Sequence, residues 1–235
     1  MTRHRGRIPL SERVYDSLRR DLATGAIVPT ERLGEERLAE IYEVSRTPVR
    51  EALARLQAEG LVERLSDGLY PYRPRLDELD HLYELRIVLE ARGMQRVRTG
   101  GPGSTPAHDL DLVRAELETW CALRDDPPEP GPGLVAADER FHTTLLAAAG
   151  NAALADALAA VHVRVRPVRT LDLPTPDRIA TMTAEHIAIA EHLLTGAVDA
   201  ALETLTTHID ISRAHVLARA QHALRLTKLG RAVRD

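Results

Sequence analysis

Residues 31–68 read ERLGEERLAEIYEVSRTPVREALARLQAEGLVERLSDG, and the order of helices in this stretch decides the fold. Apolar residues at helical spacing around Leu38 predict a short helix, and a tight turn follows it. Ser45 is expected to cap the next helix, whose inward stripe begins at Val49 and ends before Gly60. These residues therefore predict a helix, a short turn and a second helix.

A further helix and a hairpin flank this pair. Residues 11–24 carry apolar residues at four-residue steps and are followed by Gly25, which predicts a first helix that ends there. Residues 61–72 read as two strands joined by a three-residue loop that contains Gly68. A hairpin directly after a helix-turn-helix is a wing, so we expect a winged helix-turn-helix domain over residues 1–74.

The remainder, residues 75–235, carries no strand pattern. Every long segment has the apolar periodicity of an amphipathic helix, and Pro- and Gly-rich stretches at 100–106 and 127–133 separate some of them. We therefore expect a second domain of about six helices in an antiparallel bundle, which makes the chain mostly α. Pro167 falls inside one predicted helix, where we expect it to kink or split the helix near Val163.

Composition excludes several classes of protein. The chain has 235 residues, 44% of them hydrophobic and 28% charged, which suits packed domains and argues against disorder. Cys121 is the single cysteine, so neither an intramolecular disulfide nor a zinc finger fits. No apolar run reaches membrane-spanning length, and the opening MTRHRGRIPL lacks the apolar stretch of a signal peptide. We therefore expect a cytoplasmic protein without a membrane partner.

Charge is distributed unevenly along the chain, although the net charge is only −4. The first twenty residues contain six arginines and only two acidic residues. Such a segment suits the approach to nucleic-acid phosphates, and a solvated basic tail is a comparable alternative.

The second helix of a helix-turn-helix enters the major groove with its N-terminal end, so exposed residues there are candidates for DNA contact. Arg46 and Arg50 are four residues apart and share one helix face beside Thr47. Both arginines can reach guanine edges or phosphates, while Ser45 and Thr47 can bond to the DNA backbone. The alternative is a solvated surface on which both arginines pair with nearby carboxylates. Those carboxylates are Glu43, Glu51 and Glu59.

The opening stretch resembles the winged helix-turn-helix of the GntR family of bacterial transcriptional regulators. The turn VSRTPVREAL and the following LQAEGLV occur together in the register of that family. The resemblance implies operator binding, with DNA contacts from the turn and from the wing tip. These positions are Ser45, Arg46, Thr47, Arg50 and Gly68. Two positions depart from the family, because Pro29-Thr30 replaces its usual Pro-Gly and Glu36 stands where some members are basic.

Four polar residues on the predicted apolar helices have the chemistry of metal ligands. Asp138 and His142 are four residues apart, so both project from one helix face and can bind a single cation. With His186 and His208 from later helices, they offer one carboxylate and three imidazoles, which suit zinc, or alternatively nickel or manganese. Ordinary core histidines are the alternative, since the chain has ten histidines and such spacings often arise by chance.

The predicted bundle resembles the FCD ligand-binding domain, the helical C-terminal domain of one large GntR subfamily. The matching pieces are LYELRIVLEA, DERFHTTLLAAAGN, EHIAIAEHLLTG and LTTHI, over residues 77 to about 220. The resemblance implies that Asp138 and the three histidines occupy metal-ligand positions. It also implies a small carboxylate effector held at the metal with help from arginines. Arg86, Arg164 and Arg169 are the candidates, whereas Arg166 is expected on a solvated face.

Together these features predict a transcriptional regulator, expected to be a repressor, whose binding to DNA responds to an effector. A homodimer would place two recognition helices about one DNA turn apart, so the expected partner is a palindromic double-stranded operator.

Two other functions remain open from the residues alone. A zinc ion with an open coordination position can activate water, which would make the protein a metallohydrolase with Glu185 as the nearest candidate base. Four protein ligands and the lack of a nucleophile elbow argue against this function, so we expect no enzyme. The metal could instead be purely structural, with DNA binding governed by protein level.

Overall fold

The computed structural model describes residues 9–24, 26–27, 30–96, 108–169 and 174–232. The arginines before residue 9, Gly25, Pro29 and the stretch 100–106 lie outside these described residues. The chain divides into two compact units, Met1–Arg73 and Pro74–Asp235.

The first unit is a winged helix-turn-helix, as the sequence predicts. Its elements are α1 (Leu10–Thr24), α2 (Glu35–Ile41), α3 (Arg46–Ala58), β1 (Val62–Leu65) and β2 (Gly68–Pro71). The two strands pair in antiparallel register, with Val62 opposite Pro71 and Leu65 opposite Gly68. The loop between them therefore has two residues, Ser66 and Asp67, rather than the three that the sequence suggested.

α1 packs against α3 because each helix carries one apolar stripe. Leu18, Val49 and Leu56 are fully buried in the core that these helices share. The short helix α2 buries only Leu38 and Ala39, and its last residue, Ile41, is exposed. The first unit thus holds α3 through its apolar side and leaves the polar side of that helix in solvent.

The turn between α2 and α3 depends on a left-handed residue. Among the described residues outside glycine, Glu43 alone has a positive φ, 53°. This conformation reverses the chain and lets the Val44 N–H donate to the Ala39 carbonyl at 3.0 Å. At the other end of α3, Gly60 adopts a φ of 73° and its N–H donates to the Gln57 carbonyl.

The second unit is an all-α bundle, as predicted. Within the described residues its helices are α4 (Leu76–Arg96), α5 (Leu110–Asp125), α6 (Pro132–Ala148), α7 (Ala152–Arg169), α8 (Pro176–Leu194) and α9 (Val198–Ala232). The predicted split at Pro167 is wrong, because α7 continues unbroken to Arg169. Pro167 lies in the last turn of α7, where almost no helix follows that its ring could disrupt.

The core of the bundle surrounds a group of imidazoles. Trp120 and Phe141 are fully buried, and both rings lie against His186, with ring centroids 4.0 and 4.2 Å away. Aromatic and aliphatic side chains therefore exclude water from the polar groups at the centre of the unit. None of the described helices is both long and apolar enough to cross a membrane.

Candidate metal centre and nucleic-acid interface

The four predicted metal ligands come together inside the second unit. Asp138 and His142 project from one face of α6, His186 comes from α8 and His208 from α9. All four residues are buried, with at most 1% of their surface exposed. One potential ligand atom from each lies within 4.8 Å of the others. The helical spacing brings the first two together, and the packing of three helices adds the others.

The separations between these atoms match those of a shared cation. Asp138 Oδ1 lies 3.7 Å from His186 Nε2, 3.9 Å from His142 Nε2 and 4.0 Å from His208 Nε2. The Nε2 atoms of His142 and His186 are 3.3 Å apart. Ligands about 2.1 Å from a tetrahedral zinc ion would be about 3.4 Å from one another. Only small shifts would bring all four atoms to that geometry.

Two glutamates orient the imidazoles from behind. The Nδ1 atom of His142 lies 2.6 Å from Glu90 Oε2, and the Nδ1 atom of His208 lies 2.7 Å from Glu185 Oε2. A carboxylate accepts a hydrogen bond from Nδ1–H, which leaves the lone pair of Nε2 directed at the centre. His208 Nε2 is buried and has no hydrogen-bond partner among the described residues. This unpaired nitrogen is what a histidine awaiting a cation would present.

Burial and charge prepare both kinds of ligand for a cation. Burial lowers the pKa of His142 and His186 well below its ordinary value, so both imidazoles are neutral at pH 7. Burial would raise the pKa of Asp138, but Arg169 and the other nearby positive charges hold that pKa well below its ordinary range. Arg169 Nη1 donates to Asp138 Oδ2 at 2.7 Å. The group is therefore an anionic carboxylate with neutral imidazoles, which are the forms that bind divalent metals.

The three predicted effector arginines have different positions. Arg169 contacts Asp138 directly, as described above. Arg86 is buried and donates from Nε to Glu90 Oε1 at 2.7 Å, so it stands behind the carboxylate that orients His142. Arg164 instead pairs with Glu78 and keeps 38% of its side chain exposed. Two of the three thus belong to the network around the imidazoles.

Arg166 does not lie on a solvated face as the sequence suggested. It forms an ion pair with Glu139, whose side chain is almost fully buried, and Arg166 itself is only 24% exposed. The buried carboxylate on α6 draws this arginine inward, because an unpaired buried charge is costly.

Sequence reasoning missed several members of the site. It did not single out Glu90, and it considered Glu185 only as a catalytic base, whereas both accept from ligand histidines. It also passed over His162, a buried residue of α7 whose ring centroid lies 6.3 Å from that of His142. Both His162 nitrogens lack a hydrogen-bond partner among the described residues. The spacing of Arg86 and Glu90, four residues on one helix, was a signal, but such pairs are common on exposed helix surfaces.

A small cleft leads to the network from one side. It has a volume of about 50 Å³, room for a few water molecules, and Arg169 and Arg178 are both part of its lining. Leu134, Val135 and Val216 contribute apolar wall, while Ser212 and His215 add polar groups. Arg178 also donates to Glu185, at 3.3 Å. Both arginines of the cleft are thus one contact away from a ligand residue.

In the first unit, the residues predicted to read DNA lie on the exposed side of α3. Ser45, Arg46, Thr47 and Arg50 are exposed, whereas Pro48 and Val49 face the core. Ser45 occupies the N-cap position in extended conformation, but its side chain makes no capping hydrogen bond, contrary to the sequence-based expectation. Its hydroxyl is therefore not engaged by the helix that follows.

The two arginines pair with carboxylates of α2. Arg50 bonds to Glu35, and Arg46 bonds to Glu36 and more weakly to Glu35. The expected alternative partners, Glu43, Glu51 and Glu59, are not the ones used, and Glu59 instead bonds to Arg55 and Tyr15. Glu36, the position that departs from the family, thus faces a candidate DNA-reading arginine.

The wing carries Gly68 at the first position of β2. A Cβ atom built at Gly68 would lie 2.5 Å from Nε of Arg32, so the absence of a side chain lets Arg32 lie across the base of the wing. Tyr70 donates its hydroxyl hydrogen to Asp67 Oδ2 at 2.6 Å, which ties the turn to β2.

Comparison with known proteins agrees with both halves of this arrangement. The family described as bacterial regulatory proteins, gntR family, matches residues 10–68, and the FCD domain matches residues 81–211. This chain belongs to the GntR family and carries its FCD domain. It is therefore a DNA-binding transcriptional regulator with a winged helix-turn-helix.

Individual relatives of this GntR protein extend over most of its length. An HTH-type regulator from the TAR-I ttuE-ttuC' intergenic region of Agrobacterium vitis is 35% identical over 140 residues, 58% of this chain and 79% of that protein. The HTH-type regulator YdhC of Bacillus subtilis is 25% identical over 204 residues, 86% of this chain and 88% of the relative. The crystal structure of a GntR regulator from Rhodococcus sp. RHA1 has a TM-score of 0.73 and 25% identity, and the match covers 88% of this chain and 97% of that one.

The buried imidazoles predict a pH dependence of stability in protein that a chelator has freed of metal. Burial lowers the pKa of His142, His162 and His186 in the folded state, whereas histidines of the unfolded chain titrate near about pH 6.5. Below that pH the unfolded state binds more protons, so stability is lost as the pH falls. Each histidine is expected to remove about 1.4 kcal/mol of the free energy of unfolding per pH unit.

Urea unfolding across the range from about pH 7.5 to about pH 5.5 measures this slope. The exposed His222 is a matched control, and His222→Gln should leave the slope unchanged. A free energy of unfolding that does not decrease below pH 6.5 would contradict the assignment of these imidazoles as neutral.

Proposed function

We propose that this protein is a metal-containing regulator that binds a two-fold operator as a homodimer and responds to a small carboxylate effector. Ser45, Arg46, Thr47 and Arg50 contact the major groove and the adjacent backbone, and the wing at Gly68 approaches the minor groove. Two recognition helices, one from each protomer, would read the two halves of a palindromic site.

The metal part of the proposal is carried by one observation: four buried ligand atoms of one carboxylate and three imidazoles face one another within 4.8 Å. Asp138, His142, His186 and His208 would hold the ion, and Glu90 and Glu185 would fix the tautomer of two of the imidazoles. Zinc fits this donor set best, and nickel or manganese, which accept more ligands, are alternatives. When bound, the ion would supply a positive charge and free positions that attract a carboxylate.

Charge and access support a carboxylate effector. Arg169 shares its charge between Asp138 Oδ2 and the cleft that it lines together with Arg178, so an acid entering the cleft would meet two guanidinium groups. Arg86 adds a further buried positive charge behind Glu90. Arg164 stays a third candidate because it lies on α7 with Arg169, although it pairs with Glu78. The cleft of about 50 Å³ suits only a small acid, and the bundle would need to open for a larger one.

The regulatory effect would follow from differential affinity. An acid that binds one arrangement of the bundle more tightly than another shifts the population of the two arrangements, and with it the spacing of the two recognition helices of a dimer. A repressor that releases its operator on effector binding is the expected sense.

The contacts of Glu185 argue against a metallohydrolase. This residue accepts from His208 and from Arg178, and the ion pair with Arg178 helps to lower its carboxyl pKa, although burial acts in the opposite direction. A carboxylate engaged in this way is a weak proton acceptor and is turned away from the centre that water would occupy.

Arg46→Ala and Arg50→Ala are expected to weaken binding to the operator by about 5- to 100-fold each, because each removes a base or phosphate contact. If the lost contact is to phosphate, the dependence of affinity on salt should also become shallower by about one unit. Fluorescence anisotropy with a duplex that the wild-type protein selects from a random library measures both quantities. Operator affinity and salt dependence equal to wild type in both variants would show that these arginines do not read DNA.

Purified protein should contain one metal ion per chain, and His142→Ala and His208→Ala should lose it. Glu90→Gln removes only the orienting carboxylate and should lower metal affinity by about 10- to 100-fold. Elemental analysis and competition with a chromophoric chelator measure content and affinity, with His222→Gln as a control that should bind metal normally. Full metal content in both alanine variants would contradict the assignment.

Titration with small acids separates a sensing role of the metal from a structural one. Acetate, lactate, pyruvate and malate are suitable probes, and at least one is expected to change operator affinity about 5-fold or more. Arg169→Gln should abolish that response while the variant still binds the operator. If metal-loaded protein responds to none of a broad panel of carboxylates, the metal is structural and the effector proposal fails.

A further inference from the structure

Two carboxylates at the start of α2 face the two arginines of α3. Glu35 accepts hydrogen bonds from Arg50 Nε at 3.1 Å and from Arg50 Nη2 at 2.9 Å. The side chain of Glu35 is 28% exposed, whereas that of Arg50 is 64% exposed. Glu35 thus stands partly covered behind an arginine that projects into solvent.

Glu36 holds the other arginine more loosely. Its Oε1 atom accepts from Arg46 Nη1 at 2.9 Å, and Arg46 Nη2 lies 3.5 Å from Glu35. The side chains of Glu36 and Arg46 are 77% and 54% exposed, so solvent ions and DNA phosphates can reach this pair. A single exposed contact of this kind contributes little to stability and is easily exchanged.

The geometry of the guanidinium group gives the two pairs different consequences. Glu35 covers the Nε–Nη2 edge of Arg50 and leaves Nη1 clear of both carboxylates. Arg50 is therefore held in one orientation while part of its donor set points outward. Arg46 is bonded through Nη1, one of the donors that a phosphate would use, so Glu36 and a phosphate compete for the same atom.

Charge at this end of α3 is balanced as a result. The two arginines and the two glutamates cancel, so the tip of the recognition helix lacks the net positive charge that attracts DNA of any sequence. A base edge offers hydrogen bonds of defined geometry in addition to negative potential. The operator can therefore replace the carboxylate contacts more completely than random DNA can.

We infer that Glu35 and Glu36 set the operator selectivity of this protein. Glu35 is a positioning residue that orients Arg50 for a base edge, and Glu36 competes with DNA phosphates for Arg46, which suppresses binding to random sequence more than binding to the operator. This inference rests on the proposed function, because it assumes that Arg46 and Arg50 contact DNA.

The first test uses Glu36→Gln in the full-length protein. Two duplexes of equal length serve as probes, one selected by the wild-type protein from a random library and one with the same bases scrambled. Glu36→Gln is expected to raise affinity for the scrambled duplex about 5- to 10-fold, with a salt dependence steeper by about one unit, and affinity for the selected duplex by about 2-fold or less. Glu40→Gln, which removes an exposed carboxylate from the same helix, is the matched control and should change both affinities by less than about 2-fold.

The second test uses Glu35→Gln, which keeps the shape of the side chain but not its charge. It is expected to lower affinity for the selected duplex about 10-fold and to leave affinity for the scrambled duplex unchanged or higher, because Arg50 loses its fixed orientation. A circular dichroism spectrum and melting temperature equal to wild type establish that the first unit is folded in each variant.

The outcomes separate this inference from the function on which it rests. If Arg46→Ala and Arg50→Ala weaken operator binding but Glu36→Gln behaves like Glu40→Gln, the selectivity role is overturned and the DNA contacts stand. Equal gains for the selected and scrambled duplexes would likewise overturn it, because Glu36 would then act only through overall charge. If neither arginine variant affects binding, the proposed function itself fails.

Discussion

The carboxylate of Asp138 is shared between two sets of partners, and the organisation of the bundle depends on this sharing. Oδ1 faces the Nε2 atoms of three imidazoles, while Oδ2 accepts from Arg169, which lines the cleft. A charge buried to this extent is stable only with close partners. The helices that carry the imidazoles and the arginine are therefore bound to one another through a single side chain, and a change on the cleft side reaches the ligand group directly.

The same economy of charge appears in both units of the chain. In the bundle, Glu90 and Glu185 hold imidazoles so that their free nitrogens face inward. In the winged domain, Glu35 and Glu36 hold arginines on the exposed side of α3. Carboxylates thus orient the groups that would bind a metal and the groups that would bind DNA. Burial distinguishes the two cases: the inner pairs are shielded from water and rigid, whereas the outer pairs are exposed and exchangeable.

Local pattern was a reliable guide wherever neighbours along the chain determine structure. Val49 and Leu56 repeat at helical spacing and are buried, and Asp138 and His142 share a helix face because they are four residues apart. Where a partner comes from another element, pattern failed. It paired Arg46 with Glu43, Glu51 or Glu59, whereas the structure pairs it with Glu36, and it gave Arg166 a solvated face although a buried glutamate on α6 draws it inward.

The sequence by itself determined the class of each unit, the order of the helices, the wing and the four residues with ligand chemistry, because helical periodicity and turn residues act over a few positions. Only the tertiary structure decided that His186 and His208 face Asp138 and His142, that Glu90 and Glu185 stand behind them, and which arginine faces which carboxylate. Such contacts join residues that are far apart in the chain, and they form only when the apolar faces of the helices have packed.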